Sequence, residues 1–153
     1  STFTGSIRGP VEYFDVNNNF SGTLAVGNLG RLFVGGNMTG ARVLVGASLG
    51  ADLLLGGSGA NGDIFTVGII TKLEIRGSMN SSIIATGLRS TDSFLLNADD
   101  RFVTGTSAIR SIIVRKGVSG NSVFVSPSIP TTAEINNKKV TTANNPLFRV
   151  ALP

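Results

Sequence analysis

The chain contains no cysteine and no histidine. That excludes thiol nucleophiles, histidine-based catalytic triads, disulfides and zinc sites built on His or Cys. Tryptophan is also missing and Tyr13 is the one tyrosine, too few aromatics for the stacking platforms of a single-strand nucleic-acid binder. Charge is scarce: Asp, Glu, Lys and Arg are 14% of the 153 residues, where an average domain carries about 25%. The net charge of +4 is dispersed, with Arg115-Lys116 and Lys138-Lys139 the longest basic runs, so no nucleic-acid partner is expected. No apolar run approaches the roughly 18–20 residues of a membrane helix, and no membrane span is expected. The sequence starts at Ser1 without a basic or apolar leader, so any signal peptide is expected to have been removed.

What is plentiful is glycine, 20 residues, alongside a mean hydropathy of +0.27. So apolar a chain with so few charges implies that part of its outside is covered, and copies of itself are the first candidate.

The apolar residues recur in phrases. "VEYFDVNNNFSGTLAVG" from Val11, "LGRLFVGGNMTGARVLVG" from Leu29, "ITKLEIRGSMNSSIIATG" from Ile70 and "IRSIIVRKGVSGNSVFVS" from Ile109 superpose. Phe14, Leu32, Leu73 and Ile112 share a column, and Val16, Val34, Ile75 and Val114 share the next but one. After a turn of small polar residues, Phe20, Met38, Met79 and Val118 align. A second run then aligns Leu24, Val43, Ile83 and Val123. Two period-2 stretches separated by Gly, Asn and Ser are the pattern of strand–turn–strand. A strand-rich repeat near 20 residues predicts an all-β chain, a single domain over 1–153. Its expected form is a β-solenoid like a parallel β-helix, with about four to six coils. Residues 50–68 would form a degenerate coil, and residues 127–153 a terminal strand or tail. A β-sandwich of short hairpins is the alternative.

In this alignment Ala25, Leu44, Ile84 and Phe124 point outward from the second strand. A strand apolar on both faces is covered on both, either by another segment of the chain or by a second subunit, which would make these four an assembly interface. The outward column of the first strand, Asp15, Phe33, Glu74 and Ile113, is mixed. The strand-like termini are further candidates for edge pairing with a neighbour.

Acidic residues are the remaining chemistry. "STDSFLLNADDRF" places Asp92, Asn97, Asp99 and Asp100 within nine residues. Calcium takes clustered carboxylates and amide or backbone oxygens on a loop; the competing reading is a turn closed by Asx hydrogen bonds. Asp52 and Asp63, flanking "GGSGANGD", read as turn residues. A glycosidase needs two carboxylates flanking its substrate and commonly an aromatic-lined groove, which this composition makes a poor fit. Asn19, Asn37 and Asn80 each open an N-x-[ST] sequon within a repeat turn.

From about Gly22 to Val125, the order "GARVLVGASLGADLLLGGSGANGDIFTVGIITKLEIRGSMNSSIIATGL", an acidic loop ending "ADD", then "IRSIIVRKGVSGNSVFVS" resembles repeat regions of large bacterial cell-surface proteins. There GxxxGAR and GGxGxxxD turns and a loop ending in DD recur between I-x-x-I-x-V-x-G strands. The resemblance implies an extracellular, adhesin-like or matrix-like β-rich segment and no catalytic residues. Ser93, Leu95 and Leu96 stand where that pattern carries more Asp and Gly. Together these features lead us to expect a non-enzymatic extracellular structural protein. It would self-associate into a fibre or surface layer through strand edges and an apolar flank, with calcium as its one candidate cofactor. The alternative is a monomeric adhesin-like module for a cell-surface glycan.

Overall fold

The computed structural model describes residues 1–152, and they are all-β apart from one 3-10 turn, Gly59–Asn61. Two strands are long, β1 (Thr2–Val16) and β2 (Ser21–Val34). Short ones follow: β3 (Met38–Thr39), β4 (Arg42–Val45), β5 (Ala47–Ser48), β6 (Ile64–Phe65), β7 (Ile69–Ile75), β8 (Met79–Asn80) and β9 (Ile83–Thr86). The rest are β10 (Leu88–Arg89), β11 (Arg101–Phe102), β12 (Ala108–Ile109), β13 (Ile112–Val114), β14 (Val118–Ser119), β15 (Val123–Val125), β16 (Thr132–Ile135), β17 (Lys138–Thr141) and β18 (Phe148–Arg149).

Eleven strands form one sheet that curls into an open half-barrel. Two ladders diverge from β2. Its first half pairs in parallel with β4, which continues through β9 and β15 to β18. Its second half pairs in parallel with β7, then β13 and β16. A third, small parallel ladder joins β3, β8 and β14. The last strand of the second ladder, β17, runs antiparallel to β16, and two small hairpins elsewhere are antiparallel too. The sheets are therefore mixed and do not make a regular β-helix.

Side chains explain the ladders. Phe14, Leu32, Leu73 and Ile112 are hydrogen-bonded neighbours in register, as are Val16, Val34, Ile75 and Val114. The column Phe20, Met38, Met79 and Val118 also forms. Each parallel step sets like on like, and the inward residues close into one core. The mixed outward column is real as well: Asp15, Phe33, Glu74 and Ile113 lie side by side. It carries an ion network in which Glu74 is ringed by Lys72, Arg76 and Arg115, and Arg115 reaches Glu134 at 2.5 Å.

The second-strand alignment needs a correction. The neighbours are Leu24, Val43, Ile84, Phe124 and Phe148, with Ile83 and Val123 one place earlier beside Arg42. The cause is the corner before this strand. Phe20 and Leu24 are four residues apart, Met38 and Val43 five, Met79 and Ile84 five, Val118 and Phe124 six. The lengthened corners contain a residue in the left-handed region: Gly40 (φ 59), Ser81 (φ 47) and Gly120 (φ 62). The left-handed residue absorbs the extra length, so that the strands stay in register, whereas counting a corner one residue short assigns every following side chain to the opposite face.

Residues 50–68 do not form a coil of the main sheet. In the first two passes of the chain the corner between the two ladders is short, at Arg8-Gly9 in β1 and Gly27-Asn28 in β2, and each strand runs straight through it. In the next two passes the same corner opens into excursions, residues 46–68 and 87–107, each closed by a small antiparallel hairpin, β5–β6 and β10–β11.

The two ends of the ladders differ. At one end β1 pairs, among the described residues, with β2 alone, Ser6 Oγ also accepting from the Leu49 N–H at 2.8 Å, and none of its fifteen residues is buried, although Phe3, Val11, Phe14 and Val16 pack on the core from above. At the other end the chain turns back at Asn136 and Asn137, both at positive φ (55 and 57), as a two-residue hairpin turn requires. This leaves β17 at the margin with Lys138 and Lys139 exposed.

Candidate functional site

The two excursions share the same neck and an Asx turn, though their interiors differ in length. Each opens with a glycine whose N–H donates to the preceding strand of the first ladder: Gly46 to the Val26 carbonyl and Gly87 to the Val45 carbonyl, both 2.8 Å. Each closes on that glycine's carbonyl, through the Thr66 N–H at 2.7 Å and the Val103 N–H at 2.8 Å. Each holds an Asx turn, Asp52 Oδ1 accepting from the Leu54 N–H and Asp92 Oδ1 from the Phe94 N–H (3.1 and 2.8 Å). Each carries a leucine at positive φ, Leu53 (56) and Leu96 (67). The residues displayed by the Asx turns correspond: Leu54 is 63% exposed and Phe94 68%.

The loops also supply the cover whose origin the sequence left open. Leu49, Leu53, Leu55, Phe65, Leu88, Leu95, Leu96 and Phe102 lie over the outer face of the first ladder, where Ala25, Leu44, Ala85 and Val125 point. Ala25, Leu44, Ile84 and Phe124 are thus corrected as an interface. All four are buried within the chain, the first two under the loops and the last two, after the shift of register, in the main core. A second subunit cannot reach them without unfolding the loops.

The acidic residues of 87–107 are tied into the loop rather than to one another. Asp92 Oδ2 accepts from Asn97 Nδ2 at 3.0 Å. Asp99 Oδ2 accepts from the Thr91 N–H at 3.0 Å and from the Thr91 hydroxyl. Asp100 Oδ2 accepts from the Leu96 N–H and, at 3.2 Å, the Asn97 N–H. Among the described residues no three carboxylates converge on a point where a metal ion would sit. In the first loop Asp63 holds the Gly50 and Gly56 N–H groups, one on each oxygen, at 3.0 and 2.8 Å. The sequons Asn19 and Asn37 brace neighbouring corners, accepting from the Asn37 and Ser78 N–H groups at 2.8 and 2.9 Å.

The Thr91 hydroxyl, and then its N–H, hold the Asp99 carboxyl below its ordinary 3.8. A carboxyl lowered by folding stabilises the fold above its unfolded value and loses that contribution as pH falls through the folded one. The 87–107 loop is therefore expected to loosen below about pH 4. Thr91→Val should move the Asp99 midpoint upward in an NMR titration; an unchanged midpoint would mean that the hydroxyl bond is not formed.

An open groove of about 690 Å³ runs between β1 and the first loop, lined by Ser6, Arg8, Leu49, Gly50, Leu53 and Asp63 among others. Both Asp63 oxygens accept an N–H from within the first loop, from Gly50 and Gly56. Comparison with family models, with curated proteins and with solved structures gives no match to this chain.

Proposed function

We propose that this chain is an extracellular structural protein, a stack of solenoid-like coils that pairs with a second copy of itself through the free edge of β1. One observation carries the reading: a fifteen-residue strand hydrogen-bonded on one side only, with none of its residues buried. Such an edge presents unpaired N–H and C=O groups over Thr2–Ile7 and Val11–Val16, on either side of the irregularity at Pro10, and templates another strand. The solenoid form is supported by the parallel registers, in which each pass of the chain lies on the one before it. The extracellular location draws on the resemblance to surface-protein repeats and on the absence of cysteine.

The opposite margin does not invite the same pairing. A reversed strand bearing Lys138 and Lys139 is the usual protection of an edge. With β1 the one long free edge, and the opposite margin ending in the guarded β17 and the two-residue β18, copies meet β1 to β1 about a twofold axis, which closes after two. A pair therefore replaces the fibre or layer expected from the strand edges alone. Light scattering at micromolar concentration should give about twice 15.8 kDa, and Ile7→Lys with Tyr13→Lys, both exposed positions on β1, should return it to the monomer. A parent chain that is monomeric throughout sinks the proposal; growing filaments would restore the fibre.

A second reading has its own support. Leu54 and Phe94, two exposed apolar tips on equivalent turns, suit an adhesin-like module that offers the loops to a surface glycan. Leu54→Ser with Phe94→Ser would then abolish glycan binding while leaving the size of the particle unchanged.

A further inference from the structure

We propose that the 87–107 loop binds one calcium ion through Asp100 Oδ1 and Asn97 Oδ1. Asp100 is completely buried. Its Oδ2 is occupied by two main-chain N–H groups, while its Oδ1 has neither solvent nor a protein donor. Asn97 Oδ1 is in the same condition. The Asn97 amide is not free to turn over, because its Nδ2 donates to Asp92 Oδ2. Two buried oxygens, one of them on a carboxylate, thus stand without partners in one short segment.

A buried carboxylate without a compensating charge is among the costliest arrangements a protein can hold. On the sheet Asp15, Glu74 and Glu134 form ion pairs. None of the ion pairs among the described residues involves Asp52, Asp63, Asp92, Asp99 or Asp100. Arg101, next in sequence, turns its guanidinium to the Ala98 and Asp100 carbonyls at 2.7 and 2.6 Å, not to the Asp100 carboxylate. A water molecule at Asp100 Oδ1 would supply a donor but leave the charge uncompensated; a hard cation answers both needs. One carboxylate, one amide and irregular loop oxygens suit calcium, whereas magnesium demands a near-ideal octahedron.

The first loop sharpens the argument. Asp63 precedes Ile64-Phe65 as Asp100 precedes Arg101-Phe102, and both pairs form the closing hairpin strand. Both oxygens of Asp63 have N–H partners. Of the two loops, one is complete and the other lacks a partner on one carboxylate oxygen. A site with so few charged ligands belongs in the weak class, with a dissociation constant on the order of 10⁻⁴–10⁻³ M.

Thermal unfolding and calorimetric titration with calcium chloride test this. In 10 mM calcium the midpoint should rise by about 3–6 °C over its value in chelator, with one ion bound per chain. Asp100→Asn should abolish both effects. The amide oxygen in that variant still accepts the Leu96 and Asn97 N–H groups, and its NH₂ offers a donor in place of the orphan oxygen, so the variant remains folded. Asp63→Asn should keep the full calcium response. Absence of binding heat, an equal shift from magnesium or from matched sodium chloride, or an undiminished response in Asp100→Asn would each overturn the proposal. The β1 pairing does not depend on this ion and should persist in chelator.

Discussion

Phe124→Ala is expected to destabilise the fold by about 3–5 kcal/mol, the cost of emptying a buried phenylalanine site, and to lower the thermal midpoint by roughly 10 °C in a chain of this size. Phe124 is completely enclosed and stacks on Phe148 with ring centroids 5.3 Å apart. Phe148 belongs to β18, a two-residue strand whose attachment is the short parallel ladder to β15. Losing the ring should therefore release the chain from about residue 142 onward before the rest unfolds, visible as a selective drop in amide protection there. Phe94→Ala serves as the contrast: its ring is exposed, and its removal should change the midpoint by a degree or less, within the range of ordinary surface substitutions. Equal effects from the two variants would mean that the register at β15 is wrong.

Gly68→Ala should be at least as damaging, about 3 kcal/mol or more, for a reason unrelated to glycine's freedom of φ. A Cβ on Gly68 would stand closer than 3.0 Å to the main chain of Val45 and Gly46, and two strands of backbone have no rotamer by which to yield. Gly59 separates the two effects. It has φ +62 and nothing within 4 Å of the missing Cβ, so Gly59→Ala carries strain alone and should cost about 1–2 kcal/mol. Urea titration of both variants checks the ordering; a Gly68→Ala chain as stable as Gly59→Ala would mean that the first loop does not close against Val45.

Much of the architecture was legible in the repeated columns. Phe14 beside Leu32 and Val16 beside Val34 follow from an 18-residue spacing, and Leu32 beside Leu73 and Val34 beside Ile75 from one of 41, because the apolar-x-apolar pattern of the first strand is the same in each copy. The second strand was less legible. Its distance from the first is set by a corner whose length changes by single residues, and the apolar residues after the corner are consecutive: "VLV", "IIA" and "VFV" each look equally good one place over. A left-handed residue in the turn, glycine in two cases and Ser81 in the third, was the available marker. The loops hid their role for a different reason. Leu53, Leu55, Leu95 and Leu96 read as strand residues, but their work is to cover a flank, a task without a period. Of the acidic candidates, Asp92 closes an Asx turn on Phe94 and Asp99 ties its end of the loop back to Thr91. Only the burial of Asp100 distinguishes it, and burial cannot be read from "ADD".

The two glycine necks have a further consequence. Each excursion leaves and rejoins the coil at a single corner, and the ladders on either side keep their register whether that corner holds two residues or more than twenty. Lengthening a flexible loop adds only about 0.6 kcal/mol per doubling. The corner therefore behaves as a socket: what is plugged into it alters the outer wall of the protein without disturbing the barrel of side chains inside. Foreign segments of similar length, provided that they bring their own leucines to lie over Ala25 and Leu44, should be accepted there, so that the surface of this molecule can diversify while its core stands still.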